Sequence, residues 1–70
     1  MTKSKSFSIN GQFYCANVNL TLFDVINYFS FNDSLLVLEY NNWICNKKKW
    51  KEIVIEDQDK IEIVTIVGGG

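Results

Sequence analysis

The apolar pattern of this chain changes its period once, at Thr21, and that change decides what it can fold into. Before it, Phe7 and Ile9 alternate with Ser6 and Ser8, Asn10-Gly11 follows, and Gln12 to Ala16 resumes an extended pattern. Asn-Gly is the strongest short hairpin signal because both residues tolerate positive φ, so two antiparallel strands joined by a two-residue loop are expected. In that register Ile9 faces Gln12 and Phe7 faces Tyr14, which puts Phe7, Ile9 and Tyr14 on one inner face. After the change, Leu22, Val25, Ile26 and Phe29 fall at i, i+3, i+4 and i+7, with Thr21 as N-cap and Asp24 as a weak capping-box partner. The β-branched content lowers helix propensity, so this helix must be held by packing on a sheet.

A polar break around Phe31 (Ser30, Asn32, Asp33, Ser34) ends the helical stripe. Leu35 to Tyr40 then reads as a buried central strand, and Trp43 to Cys45 as a short strand returning from an Asn41-Asn42 turn. Asn46 to Glu52 gathers Lys47, Lys48, Lys49 and Lys51 around Trp50, the pattern of an exposed helical turn with its Trp tucked into a small core. Ile53 to Ile55 leads into an acidic turn, Glu56 to Asp59, and Lys60 to Val67 is the last strand. Hairpin, helix, strand, short strand, helical turn and strand give an α+β chain. They specify the β-grasp, ubiquitin-like arrangement: a mixed sheet of four to five strands with one main helix across one face. A ferredoxin-like half would need a second long helix between Val54 and Lys60, where the gap is too short. Residues 1–67 form the β-grasp domain and 68–70 a flexible tail.

Seventy residues leave room for one domain, and 47% hydrophobic with 21% charged residues is the balance of a folded chain. No apolar run exceeds Leu35 to Leu38 and the N-terminus lacks a signal-peptide core, so neither membrane insertion nor export is expected. A net charge of -1 without arginine supplies no field for nucleic acid, and the four clustered lysines read as a solvated face. With no histidine, and Cys15 and Cys45 thirty positions apart, neither a metal site nor independent proton-transfer catalysis is expected, and the two thiols read as buried core filler. Eight Asn, eight Ile and seven Lys against no Arg or Pro point to an A+T-rich genome, a plastid or a low-GC bacterium.

Gly68, Gly69 and Gly70 close the chain. At about 7% Gly per position, such a triplet arises by chance roughly three times in ten thousand, which favours a selected feature. A tail without Cβ atoms threads a narrow channel, and three extended residues carry a terminal carboxylate ~10 Å beyond the last strand. Before it, Asn41 to Gly70, with the Asn41 turn, Lys47 followed by Trp50, the acidic turn, the two-faced strand and Gly69-Gly70, resembles the second half of ThiS-type sulfur carrier proteins of thiamin biosynthesis. Ile9-Asn10-Gly11 and the Thr21-Leu22 helix start extend the likeness to the first half. Asn46 stands where many members have Pro, and Gln58 where many have Gly.

The resemblance implies a protein co-substrate rather than an enzyme. The Gly70 carboxylate would be adenylated by an enzyme of the ubiquitin-activating type, using ATP bound by that partner and no cofactor held by the carrier. Sulfur from a donor such as a cysteine desulfurase would convert it to a thiocarboxylate, and thiazole synthase would receive the sulfur. Bacterial cytoplasm or plastid stroma would house it. Gly68 and Gly69 would thread the partner's channel. On the last strand Ile61, Ile63, Thr65 and Val67 alternate with Glu62, Val64 and Ile66, so one set enters the core while Val64 and Ile66 stay on the open face; with Val67 beside the tail, these are the candidate docking residues. The alternatives are a molybdopterin-type carrier, which also ends Gly-Gly, and a ubiquitin-like interaction module or protein modifier, the latter joined through Gly70 to lysines.

Overall fold

The computed structural model describes residues 4–29 and 36–65. The expected order appears: β1 (Lys5–Ile9), β2 (Gln12–Ala16), α1 (Leu22–Tyr28), β3 (Leu36–Tyr40), β4 (Trp43–Ile44), a 3-10 turn over Lys47–Lys49, and β5 (Lys60–Thr65). The five strands form one mixed sheet in the order β2-β1-β5-β3-β4, in which β1 and β5 run parallel and all other neighbours antiparallel. This is the β-grasp architecture, with α1 across one face.

Local chemistry builds the elements. Asn10 and Gly11 both take positive φ, 51° and 84°, and the hairpin pairs Ile9 with Gln12 and Phe7 with Tyr14 as the two-residue loop requires. The capping box at Thr21 closes fully: Thr21 Oγ1 accepts Asp24 N–H at 3.1 Å, and Asp24 Oδ2 accepts Thr21 N–H at 2.9 Å. Asn46, at φ -63°, holds the backbone a proline would impose, and its Oδ1 accepts Lys48 N–H at 2.9 Å, starting the 3-10 turn.

The core lies between sheet and helix. Phe7 and Ile9 from β1, Leu38 from β3 and Ile61 and Ile63 from β5 meet Leu22, Val25 and Ile26 from α1, and Trp50 and Ile55 close the end. Trp50 is buried as its setting required; its indole N–H donates to Cys45 C=O at 3.2 Å, which satisfies the polar edge of a ring otherwise wrapped in apolar groups.

Two expectations change. The central strand is β5, not the apolar run before Asn41; β3 lies between β5 and the two-residue β4 and only its Leu38 is fully buried. β5 takes the centre because β1 joins it from the other side in parallel. The cysteines are not both core filler: Cys15 is exposed and Cys45 half-buried. Once Tyr14 faces the helix, strand alternation sends Cys15 to the open face, where its Sγ lies 3.4 Å from Ser6 Oγ. The polar break at residues 30–34 lies outside the described residues.

Candidate functional site

The candidate site is the open face of β5 and the strand ends that anchor it. Strand alternation buries Ile61 and Ile63 under the helix and turns Glu62 and Val64 outward, Val64 with 60% of its surface exposed, but Thr65, expected with the inward set, is exposed as well. Cross-strand register sets Val37 opposite Val64 and Glu39 opposite Glu62, with Ile44 of β4 next to Glu39. Like charges on directly opposed residues, whose Cβ atoms lie about 5 Å apart in such a pair, oppose sheet stability, so this face combines an apolar pair with a like-charge pair that the fold itself does not need. Of the residues expected at the site, Val64 is where the alternation put it. Ile66, Val67, Gly68, Gly69 and Gly70 lie outside the described residues.

β5 is held at its start by a polar cluster built on the acidic turn, Glu56 to Asp59. Asp59 is buried with 8% exposure. Its Oδ2 accepts the Tyr40 hydroxyl and, at 2.7 Å, Glu56 N–H; its Oδ1 accepts Asn41 Nδ2 at 3.0 Å. Asn41 then uses its own Oδ1 to accept Lys60 N–H at 2.8 Å. One carboxylate thereby ties the β3–β4 turn to the root of β5. Burial first, then the Asp59 carboxylate that holds its proton, pushes the Tyr40 phenol well above its ordinary range. Further along, Asn10 Oδ1 accepts Ile63 N–H at 2.7 Å. Both Asn residues were legible as turn formers; nothing in local spacing announced that their side chains reach across the sheet to β5.

The remaining surface offers little chemistry. A groove of about 320 Å³ between helix and hairpin is lined by Tyr14, Leu20, Val25, Tyr28 and Phe29, and its one carboxylate, Asp24, belongs to the helix cap. The lysines of the 3-10 turn are exposed, and Lys51 Nζ sits 4.7 Å from the Phe23 ring centre. Among the described residues no three His, Cys, Asp or Glu side chains cluster as a metal site, and no helix is long and apolar enough to cross a membrane.

The sequence model of the ThiS family matches residues 7–70, from the first core residue of β1 through the last glycine. The chain belongs to the ThiS family. Among relatives of this ThiS-family chain, the protein ycf40 of Trieres chinensis is 63% identical over 73 residues, covering all of both chains. The sulfur carrier protein ThiS of Bacillus subtilis is 34% identical over 50 residues, covering 71% of this chain and 76% of its own. The crystal structure of a thiamine biosynthesis protein (ThiS) from Geobacter metallireducens superposes with a TM-score of 0.78, covering 93% of this chain and 99% of that one. At 16% identity that match speaks for the ThiS fold alone.

Proposed function

We propose that this chain is a sulfur carrier of thiamin biosynthesis whose reactive group is the Gly70 carboxylate. A carboxylate is a poor acyl donor until activated. An enzyme of the ubiquitin-activating type would join it to AMP from ATP with release of pyrophosphate, and sulfide-level sulfur would then attack the carbonyl carbon and expel AMP. The resulting thiocarboxylate would pass its sulfur to thiazole synthase. The carrier supplies the acyl group and the docking face, while ATP and the catalytic groups belong to the partners. A plastid stroma or a bacterial cytoplasm suits the A+T-rich composition, and the ycf40 name of the 63% identical relative favours the plastid.

The observation that carries this reading is the family match running through Gly70 on a β-grasp body. Val64 supports it as an exposed apolar side chain on the strand that leads to the tail. Incubation with the activating enzyme, ATP and a sulfur source should raise the intact mass by the about 16 Da of one oxygen-to-sulfur exchange. Gly70→Ala should fold and stay unmodified, because a methyl group crowds a channel shaped for a bare backbone. Lysine-linked conjugates in place of the mass increase would identify a modifier, and sulfur delivery to a pterin in place of the thiazole would identify the molybdopterin-type alternative.

A further inference from the structure

Beyond the end of β1 the last strand loses a neighbour on one side. β1 pairs with β5 only at Ser8↔Lys60 and Ile9↔Ile61, whereas β3 accompanies β5 as far as Thr65. The backbone of Ile61 faces the β1 side, since its C=O accepts Asn10 N–H at 2.9 Å, and two residues on Ile63 faces the same way. The next rung there would need the chain to continue beyond Ile9, but it reverses at Asn10-Gly11. The Asn10 side chain stands in for the missing strand: its Oδ1 takes the Ile63 N–H at 2.7 Å.

We propose that Asn10 is a positioning residue for the carrier's docking strand, β5. It extends the β1 side of the ladder by one rung and clamps β5 at Ile63, beside the exposed Val64 and seven residues before Gly70. The inference rests on the sulfur-carrier reading and adds to it a residue remote from the tail in sequence. With the clamp, Ile63 and Val64 are held in strand geometry from both sides, so a partner that grips Val64 meets a strand already ordered. Without it, residues 63–65 are held by β3 alone. Each residue that frays must be reordered on docking, a cost of about five- to thirtyfold in binding per residue. The effect falls on encounter with the partner and not on the chemistry at Gly70.

Steady-state adenylation, with the carrier as varied substrate of the activating enzyme, separates the roles. Asn10→Gly keeps a residue at ease with positive φ and removes Oδ1, Asn10→Asp keeps an acceptor, and Thr21→Ala removes the helix cap as a control for lost stability. The expected result is a KM raised about tenfold with kcat within about twofold for Asn10→Gly, recovery towards the wild-type KM for Asn10→Asp, and an unchanged KM for Thr21→Ala. Faster amide exchange at Ile63 and Val64 in Asn10→Gly, and not in Thr21→Ala, is expected alongside. An unchanged KM for Asn10→Gly, or an equal rise for Thr21→Ala, overturns the positioning role and leaves the carrier reading standing. Failure of the wild-type chain to be adenylated overturns the carrier reading, and the positioning role falls with it.

Discussion

Replacing Asp59 by Asn tests whether one buried carboxylate holds the root of β5. Asp59 accepts three donors, the Tyr40 hydroxyl and Glu56 N–H on Oδ2 and Asn41 Nδ2 on Oδ1. An amide offers one oxygen. With that oxygen in the Oδ2 position, its NH2 meets the Asn41 NH2 donor to donor; with it in the Oδ1 position, the NH2 faces Tyr40 and the Glu56 N–H. Asn41 cannot relieve the first clash by flipping its amide, because its Oδ1 already holds Lys60 N–H at 2.8 Å. At least one bond to a charged acceptor is lost, so Asp59→Asn should cost about 1.5–3 kcal/mol. At about 4–8 °C per kcal/mol for a domain of this size, the melting temperature should fall by roughly 6–24 °C. Urea denaturation followed by tryptophan fluorescence, in which buried Trp50 changes its surroundings, reads the change directly, and a double-mutant cycle with Tyr40→Phe should show coupling between the two sites. A loss below about 0.5 kcal/mol, the range of an ordinary surface substitution, would refute the claim that the cluster holds the strand.

Gln58 sits at φ 72°, a conformation in which a side chain is strained, so Gln58→Gly should stabilise the fold by about 1 kcal/mol in chemical denaturation. Because the folded-state pKa of Tyr40 is raised, its phenol is protonated in both states below about pH 10, and unfolded chains ionise first above it; stability should therefore decline as pH rises past about 10, and Tyr40→Phe should flatten that slope. Val64→Asp, at a side chain 60% exposed but paired with Val37, should cost about 1 kcal/mol of stability while weakening capture by the activating enzyme in a binding titration by more than that. A loss of stability with binding by the folded variant unchanged would refute a docking role for Val64.

The sheet shows where local rules suffice. The Asn10-Gly11 turn, the Phe7–Tyr14 register, the Thr21 cap and the alternation of β5 were all readable, because each depends on residues within a few positions of one another. Trp50 was readable from its place as the one apolar residue of a lysine-rich turn and not from size, since Trp43 carries the same ring and is 79% exposed. The candidate site was legible as a strand face, through Val64, but its supports were not. The bonds from Asn10 to Ile63 and from Asn41 to Asp59 span 53 and 18 positions, and an Asn that forms a turn looks the same in sequence whether or not its side chain reaches another strand. Asp59 looked like one more charge in an acidic turn until the fold buried it.

By itself, then, the sequence determined which segments are strands and helix and which of their faces are apolar, both of them consequences of backbone preference and periodicity. Tertiary structure alone decided that β5 runs through the middle of the sheet, that Cys15 faces outward, and that two turn asparagines and one buried carboxylate grip the strand leading to the tail. Those outcomes depend on which distant groups meet once the hydrophobic faces close, and burial makes satisfying each trapped polar group a condition of folding.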